Sequence, residues 1–366
     1  MKRILVIGQT PPPHGGQALM IERLLAGSFK NAELHHVRMA FAKDMNDMGR
    51  LRLGKLVHAA AVVLEAAYQR VRHGTDVLYY APSGPDYLPM LRDMVVLSSI
   101  RWMFKSSIFH FHAAGTSELY ARLPSYLRLL YRWSYFKPDI AIQLSEFNPD
   151  DAAVLEARTK YVIPNGIEDV YGEMGCPAKV RTDRCGILWV GLISESKGFL
   201  VLVEAMRLLK ATGAAAHVTV VGSFVSDDFK LRASAMISSS GLDDVFEFTG
   251  VLTGQQKHEQ FLKADIFCFP TFFESESFGL VVLEAMQFCL PVVATRWRGV
   301  QSLVKDEVTG YMVAPKDSER LAGKLGVLVR DRDLRIAMGQ RGRQRFLQEY
   351  LVDTFYERMD ECFANA

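Results

Sequence analysis

Short apolar runs alternate with stretches of helical period along almost the whole chain. ILVIG (4–8), DVLYYA (76–81), SIFHFHA (107–113), IAIQLS (140–145) and KYVIPNG (160–166) are apolar or β-branched nearly throughout, the pattern of strands buried on both faces. GILWVG (186–191), HVTVVG (217–222), FEFTG (246–250), DIFCFPT (265–271), PVVAT (291–295) and TGYMVAP (309–315) form a second series. Segments 15–27, 88–105, 197–212, 227–240, 278–289 and 317–328 read as helices. Strand–helix alternation of this kind builds parallel sheets with helices on both faces. The series restarts near residue 185, after the polar loop YGEMGCPAKVRTDR, so two doubly wound domains are expected, 1–168 and 185–350, facing across a cleft. The tail LVDTFYERMDECFANA (351–366) reads as a further amphipathic helix.

In doubly wound sheets ligands gather beyond the carboxyl ends of the strands. The polar, glycine-containing segments PPPHGG, HAAGTSE and FFESESFG sit at those places. The 366 residues are 49% hydrophobic and 23% charged, which suits two ordinary globular cores. The formal charge of +2 hides an asymmetry: residues 1–140 carry 18 Lys+Arg against 10 Asp+Glu, leaving 25 against 31 for the rest. The first half is therefore expected to meet an anionic partner. The five cysteines form no CxxC pair, which points to reduced thiols in a cytoplasm and away from a zinc site or a disulfide framework. MKRILVIGQT reads as a first strand and not a signal peptide, and no run of eighteen apolar residues is present to span a membrane.

The segment PTFFESESFGLVVLEAM carries the densest candidate chemistry. The amides of Phe278, Gly279 and Leu280, at the start of a predicted helix, would lack intrahelical partners and favour an anion. Glu276 and Glu284 bracket that start, and a carboxylate is a good acceptor for paired sugar hydroxyls. Two glutamates around a helix start are, on spacing alone, more often a solvated cap.

The segment resembles the E-x7-E signature of the retaining GT-B glycosyltransferases of family four, with seven residues between Glu276 and Glu284. The family's other features follow in order: Gly15–Gly16, His112 after SIFHFH, Ser145, Pro164–Asn165–Gly166, VGLISESKG (190–198), the loop TRWRGVQSLV, and Asp317. The resemblance implies a GT-B chain of two Rossmann-like domains whose last helix crosses back to the first. It implies Glu276 and His112 at the reacting sugar and Glu284 on the ribose of a nucleoside diphosphate sugar. Lys197 and the amides at 278–280 would hold the diphosphate, where a fixed cation stabilises the charge developing on the leaving group. Gly15, Gly16 and Asn165 would complete the donor site. No metal or cofactor is implied, and the nucleotide sugar is a substrate. One departure stands out: the arginine expected after the VG glycine is Leu192, which leaves Arg296 or Arg298 as substitutes.

His110 reads as a core histidine, and without a third ligand the His-x-His pair is not a metal site. His14 has no assigned role. The basic aromatic segments 118–139 and 51–74 suit either sheet-covering helices or contact with an anionic membrane surface. The expected activity is transfer of a sugar to a hydroxyl of a saccharide or lipid-linked acceptor of surface polysaccharide synthesis, at the inner face of the plasma membrane. Nucleic acid is not expected as a partner. A non-catalytic nucleotide-sugar-binding protein, and an epimerase or hydrolase on the same fold, are the alternatives.

Overall fold

The computed structural model describes residues 1–12, 15–39, 53–172 and 184–366, so His14 and Cys176 lie outside it. The chain divides into two compact units: Met1–Gly166 with Val352–Ala366, and Ile167–Leu351.

The first unit is built on a six-stranded sheet of order β2-β1-β3-β4-β5-β6, from β1 (Lys2–Gly8), β2 (Ala32–Arg38), β3 (Val77–Tyr80), β4 (Ser106–Phe111), β5 (Ile140–Gln143) and β6 (Thr159–Val162). Every pairing is parallel. β3 and β5 are buried along their whole length, as their apolar runs require. β2 (AELHHVR) escapes the apolar pattern because it is an edge strand, half exposed and paired with β1. One core ties α2 (Leu53–His73), α3 (Tyr87–Ile100) and α5 (Ser125–Tyr135) to a single face of the sheet. The expected single helix at 118–139 is two, α4 (Glu118–Arg122) and α5, because Pro124 ends the first and caps the second. The terminal helix α13 (Val352–Ala364) belongs to this unit: Asp360 accepts from Asn31 N at 2.9 Å, and Tyr356 Oη donates to Arg23 O at 3.0 Å.

The second unit has the order β12-β11-β10-β7-β8-β9, from β7 (Cys185–Val190), β8 (Ala216–Val221), β9 (Phe246–Gly250), β10 (Ile266–Phe269), β11 (Val292–Thr295) and β12 (Gly310–Val313). All these strands are parallel too. In unit order this is the Rossmann arrangement, whose strand order reverses between β7 and β10. The crossovers are α7 (Phe199–Ala211), α8 (Asp227–Ser239), α9 (Gly254–Lys263) and α10 (Leu280–Gln287), followed by α11 (Ser318–Arg330) and α12 (Arg332–Glu349). Arg343 of α12 is almost wholly buried and clamps Asp169 through two hydrogen bonds of 2.7 Å, which fixes the chain where it enters this unit. Cys185, Cys268 and Cys362 are buried thiols, but Cys289 is disulfide-bonded. That corrects the expectation of five reduced thiols: sequence spacing says nothing about which cysteines meet in space. Among the described residues no helix is long and apolar enough to cross a membrane.

Candidate active site

The reversal point of the second sheet is flanked by the loop after β7 (191–198) and the loop after β10 (270–279). The two are stitched together. Phe272 N donates to Ser196 O at 2.8 Å, and Gly198, at φ 76°, packs so closely that a Cβ there would collide with the Pro270 carbonyl. Only glycine fits that approach. The result brings Lys197 and Glu276, far apart in sequence, into an ion pair of 2.6 Å in which both side chains are largely buried. Thr271 Oγ1 donates to the same Glu276 oxygen at 3.2 Å, and Lys197 Nζ lies 4.4 Å from the centroid of the Phe273 ring. The ammonium has three N–H donors and Glu276 uses one, so capacity remains for an anion.

The helix start differs in detail from expectation. α10 begins at Leu280, and its N-cap is Gly279, held at φ 93° with Phe269 packed against the place a Cβ would occupy. A left-handed residue cannot be the first turn of a helix, so Phe278 and Gly279 precede it and the leading helical amides are those of Leu280 and Val281. The Phe278 side chain is a core group, edge-on to Tyr350 at 6.1 Å, which leaves only its backbone for a ligand. Glu284 sits on α10 and receives a 2.7 Å ion pair from Lys257 on α9, a residue the sequence reading missed. Its Oε2 is buried and makes no hydrogen bond to the described residues. Glu274 is exposed, as its register implied.

Of the two substitute arginines, Arg296 is exposed and committed to Asp306 by an ion pair. Arg298 lies 5.6 Å from the Trp297 ring, and Trp297 Nε1 donates to Phe273 O at 2.7 Å, which ties that loop to the segment carrying Glu276. Lys316, also unforeseen, stands 4.8 Å from the Phe272 ring.

In the first unit, Gly15 caps α1 (Gly16–Ala26) beyond β1, His112 follows β4 and Asn165 follows β6, all at carboxyl ends of strands of one sheet. His112 is stacked on His110 with ring centroids 4.0 Å apart, and His110 Nδ1 is bonded to the Tyr79 hydroxyl at 2.6 Å. Burial pushes His112 down to about 3, and burial with the neighbouring His112 pushes His110 well below the ordinary range, so both rings are neutral at pH 7. The loop after His112 is held by Asp151, which accepts from Gly115 N at 3.1 Å and Ser117 N at 2.7 Å. Among the described residues no group of three or more His, Cys, Asp or Glu side chains is placed to hold a metal ion.

Residues 178–345 match the family described as glycosyl transferases group 1. A Salmonella typhimurium protein assigned as a colanic acid biosynthesis glycosyltransferase is 25% identical over 288 residues, 70% of each chain. Over residues 178–345 this chain is similar to the group 1 glycosyltransferases. The D-inositol 3-phosphate glycosyltransferase of an Arthrobacter species is 34% identical over 171 residues, 46% of this chain and 39% of its own. Two solved structures share the fold over nearly every residue at 18% identity: sucrose-phosphate synthase of Thermosynechococcus elongatus (TM-score 0.75, 99% of this chain and 98% of that one) and Anabaena HepE in complex with UDP-glucose (TM-score 0.74, 100% of both). The two parallel, doubly wound sheets of this chain are the GT-B architecture expected from the sequence.

Proposed function

We propose that this protein is a glycosyltransferase that moves a sugar from a nucleoside diphosphate donor to a hydroxyl of a lipid-linked or oligosaccharide acceptor of surface polysaccharide synthesis, with retention at the anomeric carbon and without a metal. The observation that carries the reading is the Lys197–Glu276 pair at the reversal point of the second sheet. It sets a cation and a hydroxyl acceptor side by side, just ahead of a helix start whose amides favour phosphate. In this reading Lys197 and the amides near Leu280 hold the diphosphate, Glu276 holds the donor sugar, and the free oxygen of Glu284 accepts from the ribose. Arg298 takes the place of the arginine replaced by Leu192.

The bond from the anomeric carbon to the diphosphate oxygen breaks as the acceptor oxygen attacks from the same face. The acceptor proton passes to the departing phosphate, whose charge Lys197 stabilises. Neutral His112 offers a hydrogen bond to a sugar hydroxyl. Names of relatives support the acceptor class, since the Salmonella protein and an Erwinia amylovora relative, 28% identical over 176 residues, are assigned to colanic acid and amylovoran biosynthesis.

The test joins thermal shift across nucleotide sugars with transfer assays. The matching donor raises the melting temperature of the wild type. Glu276→Ala abolishes transfer and stays folded, and Glu284→Ala chiefly weakens nucleotide binding. Full activity of both variants would overturn the reading, and donor binding without transfer to any acceptor would favour a non-catalytic binder.

A further inference from the structure

The helices α2, α3 and α5 cover one face of the first sheet, with α3 packed on both of the others. Their inward sides are core. Their outward sides are not the polar surface such helices ordinarily present. On α5, Tyr126, Leu129 and Trp133 follow one another at helical spacing, 73%, 75% and 65% exposed. Leu64, Tyr68 and Val71 form a matching exposed stripe on α2, and Trp102, 71% exposed, stands in the turn that ends α3. The second unit offers no counterpart: among the described residues every exposed tryptophan and tyrosine lies in the first unit. Exposed apolar stripes of this kind on neighbouring helices mark an interaction surface.

Its charge identifies the occupant. Arg72, Arg122, Arg128, Arg132 and Lys137 are exposed on or beside these helices, and no acid occurs between Glu118 and Asp139. Glu65 on α2 is the acid within the layer, and Glu156 faces Arg132 and Lys137 at 3.7 and 3.8 Å. A two-fold contact with a second copy would set this basic face against itself. Tryptophan and tyrosine with lysine and arginine at their margins are what the headgroup region of an anionic bilayer accommodates. We infer that the outer face of α2, α3 and α5 docks on an anionic lipid surface, with Trp102 and Trp133 entering the headgroup layer. The inference sharpens the two segments read from sequence into one face and does not depend on the transfer chemistry.

The experiment is flotation of the full chain, without nucleotide sugar, on vesicles of equal parts phosphatidylcholine and phosphatidylglycerol and on phosphatidylcholine alone. The wild type floats with the anionic vesicles only, and high salt releases it. Trp102→Ser with Trp133→Ser lowers the partition coefficient at least roughly tenfold at an unchanged melting temperature. Arg72→Gln and Arg122→Gln each lower it about fivefold. Should the tryptophan variant lose stability, quenching of wild-type tryptophan fluorescence by brominated lipid reads the same insertion. No flotation of the wild type, equal flotation on neutral vesicles, equal binding by the folded tryptophan variant, or no quenching overturns the inference. So does a concentration-dependent dimer that the tryptophan changes dissolve, which would make a second copy the occupant.

Discussion

The two units share a sheet architecture but arm their strand ends differently. In the second, each candidate carboxylate is matched by a lysine: Glu276 by Lys197 at 2.6 Å and Glu284 by Lys257 at 2.7 Å. In the first, the candidate groups are neutral, and the buried carboxylates brace backbone and tyrosines, with Asp93 also paired to its neighbour Arg92 at 2.6 Å. Asp151 holds the loop after β4, and Asp93 accepts from Ser83 N at 2.7 Å and from the Tyr80 and Tyr135 hydroxyls at 2.9 and 3.2 Å. A strand end with paired charges can open them toward a ligand that carries both phosphate and hydroxyls. One with neutral donors and acceptors suits hydroxyls alone. Under the proposed function, the charged donor belongs to the second unit and the neutral acceptor to the first.

The sharpest way to break that contrast is to remove the pair. Lys197→Met is expected to lower kcat about 100- to 1000-fold, the usual loss when one stabiliser of developing charge goes. It also strands Glu276 in a nearly closed site, so about 2 kcal/mol of stability should go with it. Glu276→Gln combined with Lys197→Met removes both charges and should recover part of that stability while activity stays lost. A double-mutant cycle read by thermal unfolding and by turnover checks this. Additive stability losses would mean that the two groups do not depend on each other, and the second unit's distinctive feature would dissolve.

Acid separates the units next. His112 in the folded protein titrates near 3, far below the 6.5 of the unfolded chain, because burial disfavours its charged form. A depressed histidine gives stability that is complete above about pH 6.5 and drains as pH falls toward 3. At pH 5 the loss from His112 is about 2 kcal/mol, from about 1.4 kcal/mol per pH unit. Burial lowers His110 as well, and it lowers His36 and His58 in the same unit. Asp169 in the second unit is held below the ordinary carboxylate range: burial opposes this, and the Arg343 guanidinium outweighs it. Its contribution therefore drains only at lower pH. Hydrogen exchange at pH 7 and pH 5, corrected for intrinsic rate, should loosen residues 1–166 more than 184–351, and His112→Asn should shrink the difference. Equal loosening of both would remove this basis for treating the first strand ends as a neutral site.

The sequence made some of this visible and not the rest, for physical reasons. Strands buried on both faces have no polar alternation to confuse them, so β3, β5 and β7 stood out, whereas edge strand β2, with Glu33, His35 and His36, did not. Glu276, Glu284 and Lys197 were legible because fixed spacing and glycines mark their loops. Lys257 and Lys316 were not, because each reaches the site segments from an element remote in sequence, and an isolated lysine on a polar helix or loop carries no pattern. The stripe on α5 was legible only as a basic aromatic run. Which of its residues face outward depends on the core that claims Tyr131 and Tyr135.

Lys257 sets the mildest test of the contrast. If the second unit's lysines act as partners that hold carboxylates in place, Lys257→Met leaves Glu284 present but free to rotate, and its buried Oε2 loses the fixed aim that an approaching ribose would use. Loss of one charge-assisted bond of about 1–2 kcal/mol predicts a rise in nucleotide Kd of roughly five- to thirtyfold. The turnover rate at saturating donor should stay close to wild type, since Lys257 would not touch the reacting atoms. Lys257→Arg, which can still reach the carboxylate, should restore most of the affinity. Isothermal titration with the nucleoside diphosphate, beside kcat and KM for the donor, separates this from a catalytic role. A fall in kcat at unchanged KM would mean that Lys257 stabilises the leaving group directly, and an unchanged Kd would mean that the Lys257–Glu284 pair is surface decoration on α9 and α10.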